Sequence, residues 1–123
     1  MLFRSGRALQ MLDDLGSLSS PARRDKGRED LRGGRPTWPW AWLAEVDPFA
    51  WARTTAAARD VMRGTGDADA LADELVRIVG ATGRARIRAI LESAHAELGA
   101  ALGPSPTLDA VAAELRRMEQ SYG

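Results

Sequence analysis

Apolar residues along this chain recur at helical spacing, and no stretch alternates apolar and polar positions long enough to form a strand. Leu9, Leu12 and Leu15, with Leu2 and Phe3 ahead of them, predict an amphipathic helix over 1–18, although Gly6 and Gly16 weaken it. Residues 19–37 contain two Pro, three Gly, many charges and Leu31 as their one large apolar residue. That composition predicts a charged Pro/Gly linker, because it offers too little apolar surface to offset the entropy of ordering.

From residue 38 onward the pattern predicts a helical bundle domain, 38–123, with a tryptophan-rich opening segment. Asp47-Pro48 is a helix start, since Asp can cap free amides and Pro suits the first helical position. A helix is expected over 48–63, stopped by Gly64. Thr65 or Asp67 would cap the next, over 68–79, where Leu71, Leu75, Ile78 and Val79 share a face and Gly80 ends the pattern. A further helix over 84–102 carries Ile87, Ile90, Leu91, Ala94, Leu98, Ala101 and Leu102, and Gly103-Pro104 stops it. The last helix, over 106–120, is capped by Ser105 or Thr107 and places Leu108, Val111, Leu115 and Met118 on one stripe. The expected fold is all-α: a small bundle of about four short helices, preceded by the N-terminal helix and the linker.

Composition makes this bundle thin. Much of the apolar content is alanine, and only 24 of 123 residues are Leu, Ile, Val or Phe. This is close to the range in which chains stop folding alone, so a partner or a second copy is expected to add stability. The 17 basic and 17 acidic residues cancel, which removes any strong field toward nucleic acid or an anionic membrane. Residues 1–37 are nevertheless net +3 (eight basic, five acidic) and residues 38–123 net −3 (nine basic, twelve acidic). The chain contains no cysteine, so neither a disulfide framework nor a thiolate metal site can form. With no secretory apolar run near the N-terminus and no bilayer-length apolar segment, a cytoplasmic location is expected.

Three features are candidates for function. All four tryptophans, Trp38, Trp40, Trp42 and Trp51, fall within fourteen residues, together with Phe49. In an extended segment the first three would point to one side. Indole combines large apolar area with a hydrogen-bond donor, so the cluster reads either as a plug for an alanine-rich core or as a partner-binding surface. The second feature is Gly80-Ala-Thr-Gly-Arg-Ala-Arg-Ile-Arg88, a predicted turn at which Arg84, Arg86 and Arg88 could hold an anion or nucleic acid at a helix N-terminus. A plain helix–helix corner with solvated arginines explains the same residues. The third is the linker, whose Arg23, Arg24, Lys26, Arg28, Arg32 and Arg35 are interleaved with Asp25, Glu29 and Asp30, which cancel half of their charge.

Arg84 to Leu102, followed by Thr107-Leu-Asp-Ala-Val-Ala-Ala-Glu-Leu115, resembles the opening helices of TetR-type regulators. No recognition helix or ligand-binding domain follows in these residues, so the resemblance identifies no family. His95 is the sole histidine; it has no evident nucleophile beside it and cannot make a multi-histidine metal site. Neither a cofactor nor a metal is expected, and no enzymatic chemistry. The leading expectation is an interaction or accessory protein that binds a partner protein, or itself, through Trp38, Trp40, Trp42, Phe49 and Trp51 together with Leu9 and Leu12 of the N-terminal helix. The alternative is a nucleic-acid-binding regulator acting through Arg84–Arg88 and the linker cations.

Overall fold

The computed structural model describes the backbone of residues 2–122, and the side chains among them except those of residues 2–5, 115, 118, 119, 121 and 122. The described residues form six α-helices and no strand. The first, α1 (Leu2–Ser19), buries Ala8, Met11, Leu12, Leu15 and Leu18, which recur at three- and four-residue steps. Asp14 and Ser17 are buried as well, so α1 is covered on more than one side. It packs on the long helix α5 (Ala68–Leu102) and also touches α2 (Arg24–Arg32) and α3 (Trp38–Val46). The N-terminal helix is therefore a central strut of the fold. Leu2, Phe3, Leu115 and Met118 lie outside the described side chains.

The segment read as a linker is folded. Ser19 closes α1, a 3-10 turn spans Pro21–Arg23, and α2 follows directly. Composition misled here because α2 is not held mainly by apolar side chains. Leu31 is buried, but the close contact is backbone on backbone: a Cβ at Gly27 would collide with the Ser17 carbonyl, whose carbon would lie 2.9 Å away. Glycine permits α1 and α2 to cross at that distance. Gly34, at φ 65°, then turns the chain toward α3.

Residues 38–46 are also helical where an extended segment was expected. Pro39 is the second residue of α3, a position where its missing N–H costs nothing. The helical period sets Trp38 and Trp42 on one face and turns Trp40 to the other. Asp14, from α1, supplies the N-terminal cap of α3: its Oδ2 accepts the Trp38 backbone N–H at 3.0 Å. Asp47 ends α3 and starts α4 (Pro48–Met62), accepting the Ala50 N–H at 3.0 Å, and Gly64 (φ 81°) follows the end of α4. The expected helix over 48–63 is present.

The expected helices over 68–79 and 84–102 are one helix of 35 residues, α5. Asp67 caps it by accepting the N–H groups of Asp69 and Ala70 at 2.9 and 3.2 Å. Gly80 and Gly83 lie inside it without positive φ, and both are buried. Gly83 is where the Trp42 ring sits: a Cβ there would meet ring carbons Cε3 and Cη2, each at 2.9 Å. Trp42, 1% exposed, lies in the core with Leu43, Leu75, Val79 and Ile87. The count of about four helices is thus corrected to six, by merging two predicted helices and adding α2 and α3 to α1. Gly103 (φ 70°) ends α5, and α6 (Pro106–Tyr122) starts with the Ser105 hydroxyl accepting the Leu108 N–H at 3.1 Å.

The two mid-helix glycines should respond oppositely to alanine. At Gly80 the nearest obstacles are the Arg84 guanidinium at 3.2 Å and a Val76 methyl at 3.3 Å, and the guanidinium is the far end of a flexible chain. Gly80→Ala is expected to be neutral or to stabilise by up to about 1 kcal/mol, the ordinary helix preference. Gly83→Ala must displace a buried indole, an overpacking cost of roughly 1–3 kcal/mol that exceeds that preference. Urea unfolding of the two variants checks this, and equal midpoints would contradict the Trp42 contact.

Candidate functional site

The α3–α4 corner gathers aromatic residues at the surface. Asp47 ends α3 and caps α4, and the two helices pack on each other across it, which brings Trp40 onto Trp51. Trp40 and Trp51 meet edge to face, with ring centroids 5.8 Å apart and planes at 85°. Phe49, in the first turn of α4, is 88% exposed, Val46 is 48% exposed and Trp51 38%. A phenylalanine this exposed makes little use of its apolar area within its own chain.

The residues expected to form one binding surface are thereby divided. Trp42 and Leu12 are buried, and Leu9 and Trp38 are half-buried and packed against the core. Those four hold the fold together. Phe49, Trp51 and part of Trp40 remain at the surface, where Val46 joins them. Sequence reasoning missed Val46; its position just before Asp47-Pro48, at the very end of a helix, was the available signal.

The glycine–arginine segment does not form the anticipated site. Residues 80–88 lie in the middle of α5, so no helix begins there and no set of unpaired amides faces outward. Arg86 forms a two-pronged ion pair with Glu45 of α3, at 2.9 and 2.8 Å, and this contact holds the Glu45 carboxyl below its usual range. Arg84 and Arg88 are exposed on α5. The helix-turn-helix reading fails for the same reason: there is no turn.

Most of the segment 19–37 cations are engaged by carboxylates of the same chain. Arg23 bonds Asp13 at 2.8 Å, and Lys26 bonds the other oxygen of that carboxylate. Arg24 reaches Asp69 at 3.3 Å and Asp73 at 2.9 Å on α5, and Arg28 reaches Asp69 at 2.9 Å and Asp25 at 2.6 Å. Arg35 meets Asp30 at 3.2 Å. These contacts tie α2 to α1 and α5.

A surface groove of about 540 Å³ lies beside this network, lined by Gln10, Asp14, Lys26, Asp30 and Trp38 among others. Its two buried carboxylates already have structural partners: Asp14 accepts from Gln10 and from the Trp38 backbone, and Asp30 from Arg35. Among the described residues, no group of three or more His, Cys, Asp or Glu could hold a metal ion, and no helix is long and apolar enough to cross a membrane. His95 is half-buried on α5. No known protein family, curated protein or solved structure matches the chain.

The Asp13 cluster predicts the response to acid. Burial pushes the Asp13 carboxyl up, but the hydrogen bonds and charges of Lys26 and Arg23 outweigh it and hold the group below the usual carboxylate range. A carboxylate whose pKa is lower folded than unfolded stabilises the fold above its unfolded value. That contribution is lost as pH falls through the folded value. Stability should be flat near neutrality and decline below about pH 4. Asp13→Asn should lower the urea midpoint at pH 7 and flatten the acid decline, whereas an unchanged acid slope in the variant would contradict the assignment.

Proposed function

We propose that this chain is a small, non-enzymatic interaction protein, an accessory subunit or adaptor, that engages a partner protein through the aromatic corner of α3 and α4. The observation that carries the reading is Phe49, 88% exposed and flanked by Val46 and Trp51. Aromatic residues presented on rigid helices are the residue type that dominates binding energy at protein interfaces. The Trp40–Trp51 pair gives the corner a fixed base.

The corner is rigid because the buried Trp42 and Leu43 hold α3 to α5, and the Arg86–Glu45 pair pins its C-terminal half. A preorganised surface loses little entropy on binding. The N-terminal helix is not assigned a docking role, since its apolar face is used within the fold. The internal pairing of Arg23, Arg24, Lys26, Arg28, Arg35 and Arg86 weakens the nucleic-acid reading, which is left with Arg84 and Arg88 exposed on α5.

Phe49→Ser should leave the circular-dichroism spectrum and thermal midpoint nearly unchanged, because the side chain is exposed. It should weaken association with a partner by roughly 30-fold or more, the effect of removing an interface hot spot. Affinity capture from extract of the cells that make the protein, with wild type and variant side by side, tests this. A variant that holds the same partner as tightly as wild type contradicts the proposal.

A further inference from the structure

We infer that residues 20–37 form a charge-held latch, which lifts off α1 and α5 as one unit while the core of α1, α3 and α5 stays folded. The burial pattern separates the two parts. Of residues 20–37 only Gly27, Asp30 and Leu31 are buried, and Leu31 is the single large apolar one. Leu15, Trp42, Leu43, Leu75, Val79 and Ile87 belong to α1, α3 and α5, which pack on one another directly, so most of the apolar core survives the departure of Leu31. Segments with few buried apolar contacts are the ones that open locally.

Charge fastens the segment. Residues 20–37 carry six basic and three acidic side chains, a net of +3. The surface beneath presents three carboxylates, Asp13 on α1 and Asp69 and Asp73 on α5. Arg23 and Lys26 converge on Asp13, Arg24 bridges Asp69 and Asp73, and Arg28 shares Asp69. Asp69 is 47% exposed and Asp73 71%, so these pairs lie within reach of solvent ions, which screen them. The backbone crossing of Gly27 on Ser17 sets where the closed latch lies but buries little apolar area.

Both ends of the segment can bend. Ser20 and Pro21 interrupt the chain after α1, and Gly33 and Gly34 stand exposed after α2, with Gly34 at φ 65°. Gly34 rests beside Met62 of α4, a side chain that is still half exposed. The cap of α3 does not depend on the latch, because Asp14 of α1 holds the Trp38 N–H. Closed, the latch neutralises its cations on the chain's own carboxylates. Open, it presents a +3 arm and uncovers Asp13, Asp69 and Asp73, together with the Leu18 methyl that lies beside Gly27. One face that is self-neutralised thereby becomes two surfaces of opposite charge.

Native-state hydrogen exchange of the full chain, at roughly 0.05 M and 1 M sodium chloride, reads the latch directly. Amides of residues 28–33 are expected to exchange faster than those around Leu75 and Val79. High salt should speed them by roughly tenfold, the combined effect of several screened surface pairs, while the core amides keep their rates. Asp69→Asn removes the carboxylate shared by Arg24 and Arg28. It should speed the same amides at low salt and blunt the salt effect. Glu74→Gln, on the same helix but paired with Arg53 and Arg77, should leave them unchanged. Exchange of residues 28–33 at the core rate overturns the inference. So does local exchange that ignores both salt and Asp69→Asn, or that Glu74→Gln speeds equally.

Discussion

The contact between the Trp42 ring and Gly83 organises the rest of this fold. The indole occupies space that any side chain at residue 83 would need, so α3 and α5 approach to a distance that only glycine allows. The indole Nε1 has no hydrogen-bond partner, and an unmade bond to a buried donor costs about 1–3 kcal/mol. Burying an aromatic side chain of this size removes about 150–250 Å² from water, worth roughly 4–6 kcal/mol at about 25 cal/mol per Å². Burial therefore wins, and the ring stays inside. With Trp42 fixed inward, the helical period turns Trp40 away from it, toward Trp51 and the corner that exposes Phe49.

Glycine acts similarly where α1 meets α2. Gly27 rests on the Ser17 carbonyl, and around that crossing lie the pairs of Arg23 and Lys26 with Asp13 and of Arg24 and Arg28 with Asp69. Exposed ion pairs contribute little singly, but here the donors converge on shared carboxylates and link three helices. Asp14 adds a cap from α1 to α3. A chain short of large apolar residues thus orders a charged segment through close backbone contact and shared carboxylates.

Much of the fold was legible from the sequence. Asp47-Pro48 and Gly64 bracket α4, Asp67 caps α5, and Gly103-Pro104 separates α5 from α6, because each is a local signal with a local cause. The failures share one origin. A glycine that ends a helix and a glycine that admits a distant ring look identical in sequence, and the partner of Gly83 lies at residue 42. The same ambiguity hid α2, whose glycine counted toward a linker although Ser17 needed it. At the candidate site the aromatic concentration was visible, but its division into Trp42 inside and Phe49 outside depends on α3 being helical, which Pro39 in a tryptophan-rich run obscured.

Trp42, seated on Gly83, fixes residues 68–102 as one unbroken helix whose inner face is buried. Native-state hydrogen exchange of the backbone amides of residues 80–86 tests it most directly. An unbroken helix under a buried indole predicts that these amides exchange as slowly as those around Leu75 and Val79, through unfolding of the whole core. Fast exchange confined to residues 80–84, with both flanking segments protected, would show two helices joined by a turn and would contradict the account.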